Sequence, residues 1–330
     1  MILYLHNHTY GKNIDSFKVL IKNQHLFNAV GIYFSIDNPT NADYILIGSG
    51  TLIDKRKSIM DSVQKALDVI KNLHERNPKA QIILLDSNDS TSTAASLPVL
   101  TESIELGYPV KWLLKNQLTT LQGGPFGKWW WSESEVDPIT LHPQTKLSGW
   151  DLGSYTESYK NFYPRLFSGD AEYDVCAIYQ YSHAENYEHL ERNDIYYTEH
   201  RTKPYELLEN SKWNYQTGKR PYDEYLKILC SSKVCLSPFG MGEICYRDFE
   251  AMQYCIPIIK PDMTNVITFG DIWKPFETYI PVKADWSNLL DVLDDVLSKP
   301  LNCAGNFRFD YVKAYDPKNL IKYWQTEILI

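Results

Sequence analysis

Apolar and polar residues alternate along the first half of the chain in two regular patterns. Short apolar runs bounded by turn residues predict strands at MILYLHN, GIYFS, DYILIG and QIILLD. The intervening segments predict helices near residues 14 to 28 and from Asp54 to Glu75. In the second helix, apolar residues recur with the 3.6-residue period of a surface helix: Ile59, Val63, Leu67, Ile70 and Leu73. Strands alternating with helices indicate a parallel sheet covered on both faces.

This alternation lapses between about Leu118 and Phe167, where Gly, Pro, Trp and Ser are frequent, as in GGPFGKWWWSES. It restarts with a strand, YDVCAIYQY, that begins at Tyr173. The elements predicted after it are a helix around Lys203 to Leu208, the segment PYDEYLKILCSS, the strand KVCLS, a helix from Glu243, the strand IPIIKP, and TYIPV followed by Leu289 to Leu297. We therefore predict an α/β chain of two Rossmann-like domains, 1–167 and 168–330.

The last segment, Asp316 to Ile330, is predicted to be a helix with apolar residues available for packing. Its periodicity does not show on which domain the helix docks.

Composition and charge narrow the class of protein. A chain of 330 residues fits about two domains of roughly 150 residues each. Hydrophobic residues at 44% and charged residues at 22% are typical of a folded globular protein and disfavour disorder, collagen-like repeats and a coiled coil. The net charge of −8 leaves no broad basic surface, so we expect no nucleic-acid partner. A small pocket for one phosphate ligand remains compatible with this charge.

Cysteine spacing and the terminal sequence exclude several other classes. None of the six cysteines has the CxxC spacing of a zinc or redox site, and we expect small buried thiols in a reducing cytoplasm. The amino terminus lacks the basic region and cleavage site of a signal peptide. No run of about 20 apolar residues occurs. We therefore expect a cytoplasmic protein without a transmembrane segment, whose contact with any membrane would be peripheral.

The most informative stretch is SKVCLSPFGMGEICYRDFEAMQYCIPIIKPDM, in which a strand, a Gly-rich turn, a helix and a second strand succeed one another. In an open parallel sheet, ligands bind outside the carboxyl ends of the strands. Gly240 and Gly242 leave the turn backbone accessible, and the first amides of the helix would point at an anion. Glycines also end strands for purely steric reasons, so the turn alone does not define a phosphate site.

A charged helix face follows this turn. At about 100° per residue, Glu243, Arg247 and Glu250 fall within about 40° of one another, opposite an apolar face. An arginine there can meet a diphosphate, and a carboxylate can accept hydrogen bonds from ribose hydroxyls. The alternative is an exposed Glu243–Arg247 pair with Glu250 solvated.

This stretch resembles the signature of exostosin-like glycosyltransferases of the GT-B fold, in which a strand, a Gly turn and an R-x-x-E-A helix hold the nucleotide of a sugar donor. The resemblance extends to HRTKPYELLEN, PYDEYLKILCSSK and TYIPVKADWSNL and, more weakly, to LLDSNDSTS and VKWLLKNQL, about half the chain. It implies that Arg247 contacts the diphosphate, Glu250 the ribose, and Arg201 the phosphates from a second side. We also predict Ser237, Gly240, Gly242 and Glu243 as donor-binding residues. Tyr246, and Tyr254 with Cys255, depart from the family pattern and leave the donor base and sugar open.

In the GT-B arrangement the first domain offers the acceptor site and the second the donor site across a cleft. A carboxylate at a first-domain strand end would then be the general base of an inverting transfer. Asp86 and Asp89 follow the strand QIILLD, with Asp89 preferred because it lies farther into the loop. The alternatives are a strand-end cap for Asp86 and an Asx turn for Asp89.

Acceptor binding is predicted from aromatic and histidine residues. Trp129 and Trp130, next to Trp131, could stack on a sugar, although interdomain packing is the alternative for at least one of them. His8, with His6, lies at the end of the first strand, where a structural role is the alternative.

No metal-ligand cluster stands out, because the tetrad DSND is one residue longer than a DxD motif. We therefore expect no metal and no cofactor, only a nucleotide sugar as donor substrate. The sequence favours an inverting glycosyltransferase that acts on a glycan acceptor in surface or capsule-type polysaccharide synthesis. The alternatives are a non-catalytic carbohydrate- or nucleotide-sugar-binding protein and a GT-B sugar epimerase.

Overall fold

The computed structural model of the chain describes residues 1–7, 14–52, 59–87, 93, 96–119, 140–155, 171–180, 191–240, 242–299 and 303–330. These residues fall into two compact units. The first comprises Met1–Leu118, Thr140–Tyr155 and Tyr315–Ile330. The second comprises the described residues of Thr119–Ile139 and Thr156–Ala314.

The first unit is a parallel sheet flanked by helices. Its strands are β1 (Ile2–His6), β2 (Tyr33–Ser35), β3 (Tyr44–Gly48), β4 (Gln81–Asp86), β5 (Val110–Lys115) and, after the short strand β6 (Gln117–Thr119), which is not part of this sheet, β7 (Thr145–Leu147). Its helices before residue 156 are α1 (Ile14–Lys22), α2 (Gln24–Ala29), α3 (Ser49–Leu52), α4 (Ile59–Arg76) and α5 (Leu97–Glu105). The sheet has the order β2-β1-β3-β4-β5-β7, and all of its pairs are parallel.

The core of this unit lies on both faces of the sheet because side chains alternate along each strand. Leu3 and Leu5 pack on one face with Phe17 of α1. Tyr4 packs on the other face with Val63 of α4. The strands predicted from short apolar runs are confirmed. The inner strands β3 and β4 are buried on both faces, as expected for a parallel sheet, whereas the edge strand β2 is partly exposed.

The second unit is also a parallel sheet covered by helices. Its strands are β8 (Tyr173–Ala177), β9 (Tyr215–Thr217), β10 (Ser232–Leu236), β11 (Ile258–Pro261), β12 (Val266–Thr268) and β13 (Ile280–Val282). Its helices are α6 (Glu191–Glu209), α7 (Tyr222–Cys230), α8 (Tyr246–Gln253), α9 (Leu289–Leu297) and α10 (Cys303–Ala314). The sheet order is β13-β11-β10-β8-β9, with every pair parallel.

When the strands of each sheet are numbered along the chain, the first five strands have the doubly wound order 2-1-3-4-5 in both sheets. In the second sheet these strands are β8, β9, β10, β11 and β13, and the order is β9-β8-β10-β11-β13. The predicted class, an α/β chain with two Rossmann-like parallel sheets, is confirmed. The assignment of acceptor and donor roles to the two halves stays a prediction.

The carboxyl-terminal segment packs within the first unit. It forms α11 (Pro317–Tyr323) and a π-helical turn, Trp324–Ile328. The Trp324 ring stacks on Trp150 with centroids 6.0 Å apart, and its Nε1 donates to the carbonyl of Ser148 at 2.9 Å. The compact units therefore differ from the sequence-based division at residue 168, since Tyr315–Ile330 belongs to the first unit.

Two further features concern membranes and thiols. Within the described ranges, no helix is both long and apolar enough to cross a membrane. All six cysteines are free thiols, and Cys176, Cys230, Cys235 and Cys303 are buried. The expectation of buried, unpaired cysteines is confirmed for these four.

Candidate functional site

The strand order of the second unit creates a switch point between β8 and β10. β8 is the first strand of this sheet and β10 the third, and they pair side by side with Cys176 opposite Cys235. Helices after such strands leave on opposite faces, so a crevice opens at the carboxyl ends, where ligands bind in doubly wound sheets. The residues just beyond these ends are 178–180 after β8 and Ser237 after β10. They define the candidate site.

Arg201 reaches this point from α6. Its side chain is buried, with Nε donating to the carbonyl of Gln180 and Nη1 donating to the carbonyl of Phe239 at 2.8 Å. Its guanidinium carbon lies 5.0 Å from the centroid of the Tyr179 ring. These two backbone carbonyls orient the guanidinium group. They carry no formal charge, so they do not neutralise its positive charge.

Arg247 reaches the same point from the second position of α8. Its Nε donates to the carbonyl of Ile178 at 3.2 Å and its Nη1 to the hydroxyl of Ser237 at 3.3 Å. Its guanidinium carbon also lies 5.0 Å from the Tyr179 centroid. Two guanidinium groups thus meet at one aromatic ring, and a bound dianion would offset the repulsion between them.

Below Arg247, a buried ion pair holds the start of α8. Lys260 Nζ lies 3.0 Å from Asp248 Oδ2, and both side chains are fully buried. Asp248 also accepts from the hydroxyl of Ser237 at 2.6 Å and from the amide of Cys245 at 2.8 Å. Because Ser237 donates to Asp248 and accepts from Arg247, this network orients the Arg247 guanidinium.

Glu250 lies one turn after Arg247 on α8. Its Oε2 accepts a hydrogen bond of 2.8 Å from the hydroxyl of Tyr225 on α7. Partial burial raises the pKa of Glu250, while the bond from Tyr225 and the charge of Arg247 act in the opposite direction. Tyr225 therefore fixes the orientation of a carboxylate that can still accept hydrogen bonds from a ligand.

The structure corrects the expected start of this helix. α8 begins at Tyr246, so Glu243 lies in the preceding turn and not on the helix face shared by Arg247 and Glu250. Glu243 is fully buried, which also rules out the exposed Glu243–Arg247 pair. The amide of Gly240 donates to the carbonyl of Gly242 at 2.9 Å, so this amide closes the turn and does not face outward to bind an anion.

Gly240 packs closely against the side chain of Cys245. A Cβ atom at this position would lie 3.2 Å from Cys245 Sγ and 3.6 Å from Arg201 Nη1. The contact with Arg201 would be of ordinary length, whereas the Cys245 side chain would have to shift to admit a side chain at position 240.

Asp86 lies in a setting that does not suit a general base. Its carboxylate is buried in the first unit, where Oδ2 accepts from Lys115 Nζ at 3.1 Å and from the Ser96 hydroxyl at 2.6 Å. A base must touch the acceptor hydroxyl, whereas this oxygen is occupied by two internal donors. Asp86 is thus an interior ion-pair residue at the end of β4.

The residues predicted for the acceptor side divide into two groups. His6 ends β1, and burial together with the charge of Arg76 lowers its pKa to about 4, so it is neutral at pH 7. Asp89, His8, Trp129 and Trp130 lie outside the described residues. In the parts of the chain that the structure describes, no group of three His, Cys, Asp or Glu residues could hold a metal ion.

Residues 174–298 match the family model of the RXYLT1 C-terminal domain, which belongs to the exostosin-like glycosyltransferases. This match supports a glycosyltransferase. It contains Tyr179, Arg201, Arg247 and Glu250, and it lies within the second unit. No curated protein matches the chain significantly.

Several solved structures of GT-B glycosyltransferases resemble the chain in architecture. Sucrose-phosphate synthase from Thermosynechococcus elongatus is 14% identical, with 98% of this chain and 97% of that chain covered and a TM-score of 0.49. HepE of Anabaena, solved in complex with UDP-glucose, is 10% identical, with 98% and 97% covered and a TM-score of 0.44. An alpha-glucosyltransferase solved with UDP and DNA is 10% identical, with 99% of both chains covered and a TM-score of 0.45.

Sequence reasoning missed several site residues, among them Tyr179, Tyr225, Asp248 and Lys260. With 24 tyrosines in the chain, nothing in the local pattern distinguishes the two that contact the charged groups. Lys260 lies inside an apolar strand, and a buried lysine there is a signal for a buried carboxylate partner. That partner, Asp248, is three residues after Cys245, the spacing of a capping box, which also marks the true start of α8.

Proposed function

We propose that the chain is a nucleotide-sugar-dependent glycosyltransferase whose second unit binds the donor. The observation that carries this proposal is the convergence of Arg201 and Arg247 on Tyr179 at the switch point of a doubly wound sheet. Two guanidinium groups match the two phosphates of a nucleoside diphosphate, since each phosphate oxygen accepts charge-assisted hydrogen bonds. The family match over residues 174–298 supports the same activity.

Glu250 would bind the ribose of this donor. It follows Arg247 by three residues on α8, and residues at this spacing lie about 5–6 Å apart on the helix surface. A carboxylate held by Tyr225 can accept hydrogen bonds from the ribose hydroxyls while Arg247 contacts the adjacent phosphate.

The transfer itself would be a single displacement with inversion. The acceptor hydroxyl oxygen attacks the anomeric carbon, the bond from that carbon to the diphosphate oxygen breaks, and the diphosphate leaves with the bonding electrons. Arg201 and Arg247 stabilise the negative charge that develops on this leaving group. A general base takes the hydroxyl proton, and we assign this role to Asp89, because Asp86 is occupied by Lys115 and Ser96.

We assign acceptor contacts to His8, Trp129 and Trp130 and propose a glycan acceptor of the surface-polysaccharide type. The family resemblance of the R-x-x-E-A segment and the sugar-stacking chemistry of tryptophan support this assignment.

A panel of nucleotide sugars, incubated with and without oligosaccharide acceptors, tests the activity. We expect one donor to be hydrolysed slowly without acceptor and consumed faster with it, and product NMR to show an inverted anomeric centre. Binding of a donor without any turnover would identify a carbohydrate- or nucleotide-binding protein and contradict the enzyme assignment.

A substitution at Asp89 tests its assignment as the general base. Asp89→Asn should keep donor binding and lower turnover by about 100-fold or more, because a general base typically contributes that much. Near-normal turnover in this variant would exclude Asp89 as the base.

A further inference from the structure

Residues 178–180, just beyond β8, contact both arginines of the candidate site. The carbonyl of Ile178 accepts from Arg247 Nε, and the carbonyl of Gln180 accepts from Arg201 Nε. Between these two carbonyls, the ring of Tyr179 lies 5.0 Å from each guanidinium carbon. One short segment therefore determines where both positive charges lie.

The Tyr179 ring is itself held rigidly. It is 4% exposed and stacks on Tyr205, with ring centroids 4.7 Å apart and an interplanar angle of 11°. The Tyr205 hydroxyl donates to the Tyr179 carbonyl at 3.0 Å. Tyr205 follows Arg201 by four residues on α6, so one helix supplies both an arginine and the residue that braces the ring.

The chemistry of the ring suits this position. Two guanidinium groups near one another repel, and the negative face of an aromatic ring offsets part of that repulsion by cation–π attraction. Burial raises the pKa of Tyr179 well above its usual value, so its hydroxyl stays protonated. The residue thus attracts both cations without introducing an anion that would compete with a phosphate.

We propose that Tyr179 is a positioning residue that sets the separation of the Arg201 and Arg247 guanidinium groups, so that together they bind a diphosphate in preference to a single phosphate. This inference rests on the proposed donor site and adds to it the selectivity for two linked phosphates. Its direct consequence is that the ratio of pyrophosphate affinity to phosphate affinity depends on the ring at position 179.

Two substitutions separate the ring from the hydroxyl. Tyr179→Phe keeps the ring and removes only the hydroxyl, which is buried. Tyr179→Leu removes the aromatic face and retains an apolar side chain. Tyr279→Leu is the matched control, because Tyr279 is a fully buried tyrosine of the same unit whose ring contacts Trp273.

The experiment is calorimetric titration of the whole chain with inorganic pyrophosphate and, separately, with inorganic phosphate. We expect Tyr179→Leu to weaken pyrophosphate binding by about tenfold or more while changing phosphate binding by less than about threefold, since cation–π contacts of desolvated groups are of that order. Tyr179→Phe and Tyr279→Leu should keep the wild-type ratio. A loss of folded protein would lower the number of binding sites in both titrations and would leave the ratio of affinities unchanged.

The inference and the proposed function fail in different ways. A wild-type chain that binds neither pyrophosphate nor UDP, GDP or ADP would contradict the donor site itself. A wild-type chain that prefers pyrophosphate, with the same preference in Tyr179→Leu, would overturn the role of Tyr179 alone. Loss of the preference in Tyr179→Phe would assign it to the hydroxyl and would also overturn the positioning role of the ring.

If Tyr179→Leu does not fold, Tyr205→Leu provides the same test. It removes the stacked brace and leaves the Tyr179 ring in place, and circular dichroism would verify its fold. We expect a smaller loss of the pyrophosphate preference in this variant, and an unchanged preference would contradict the inference.

Discussion

Arg247 and Glu250 are oriented by residues that lie outside their own helix, α8. Ser237 and Ile178 hold the guanidinium of Arg247, and Tyr225 holds the carboxylate of Glu250. Because each side chain is already oriented before a ligand arrives, little conformational entropy remains to be lost on binding. We therefore expect large losses of affinity when either side chain is removed.

Arg247→Ala and Glu250→Ala should each weaken binding of the nucleoside diphosphate by about 1.5–3 kcal/mol, the usual cost of losing a charge-assisted hydrogen bond. Isothermal titration calorimetry measures this loss. Arg220→Ala is a matched control, because Arg220 forms an exposed pair with Glu224 on the same unit. Unchanged affinity in both site variants would remove these residues from the donor site.

A second residue-scale prediction concerns pH and His200. Burial, together with the charges of Arg201 and Lys260, lowers the pKa of His200 from 6.5 to about 3, and its Nε2 accepts from the amide of Phe239 at 3.2 Å. The imidazole is thus neutral in the folded state and takes up a proton on unfolding below pH 6.5. The stability it confers is complete above pH 6.5 and falls by about 1.4 kcal/mol per pH unit as pH decreases towards 3.

Urea unfolding between pH 4 and pH 8 measures this dependence. His200→Gln, whose side-chain oxygen can accept the Phe239 amide, should have a shallower slope below pH 6.5 than the wild type. His25→Asn, at an exposed histidine, should keep the wild-type slope. Equal slopes in all three proteins would show that His200 is protonated in the folded state.

At the scale of elements, the carboxyl-terminal helix depends on one glycine. Gly149 has a φ of +92°, and a Cβ atom there would lie 2.9 Å from Leu320 Cδ1 and 3.2 Å from Tyr323 Cδ1 of α11. A side chain at this position therefore meets both backbone strain and the docked helix.

Gly149→Ala should lower the free energy of unfolding by about 2–4 kcal/mol, the sum of the left-handed backbone strain and the overpacking. Gly107→Ala separates the two causes, because Gly107 has a φ of +79° with no atom within 4 Å of a built Cβ. We expect this control to lose only about 1–2 kcal/mol. Equal losses in chemical denaturation would mean that α11 moves away without cost.

Elements with a regular apolar pattern could be predicted from the sequence, and others could not. α9 occupies the predicted range from Leu289 to Leu297 because its apolar face is continuous. The sequence does not predict α10, because this helix has no continuous apolar face. Phe309, for example, is 67% exposed and lies on the polar side of the helix. The sequence predicts a start of α8 at Glu243, because glutamate favours helices, whereas in the structure Glu243 lies in a buried turn before Tyr246.

The same limit applies to the candidate site. Arg247 and Glu250 could be proposed from spacing along one helix, which is local information. Tyr179 and Tyr225 come from other elements, and only the strand order brings them to the two charged residues. Asp86 lies at the end of a strand, where a general base is expected. Its ion-pair partner Lys115 lies on the neighbouring strand, and the sequence pattern does not show that these two residues pair.

At the scale of the whole molecule, we expect catalysis without a divalent metal. Arg201 and Arg247 can neutralise the leaving diphosphate, and the described residues contain no acidic cluster that could hold a metal ion. Transfer rates should therefore change by less than about twofold on addition of EDTA, whereas metal-dependent phosphoryl chemistry loses orders of magnitude. Activity that EDTA abolishes and magnesium or manganese restores would contradict this prediction.

Tyr315–Ile330 packs within the first unit although it follows the second unit in the sequence, and this affects the order in which the two units can fold during synthesis. The Trp324 side chain completes a core that Phe27 and Trp150 begin, yet the ribosome makes Trp324 after the entire second unit. Domains generally fold in the order of their synthesis, amino-terminal first. In this chain the second unit has all of its residues available earlier, so the amino-terminal unit must wait with an exposed apolar surface for its last segment to emerge. Chaperone binding to nascent chains would accordingly be strongest before Tyr315–Ile330 has left the ribosome and would fall once this segment has emerged.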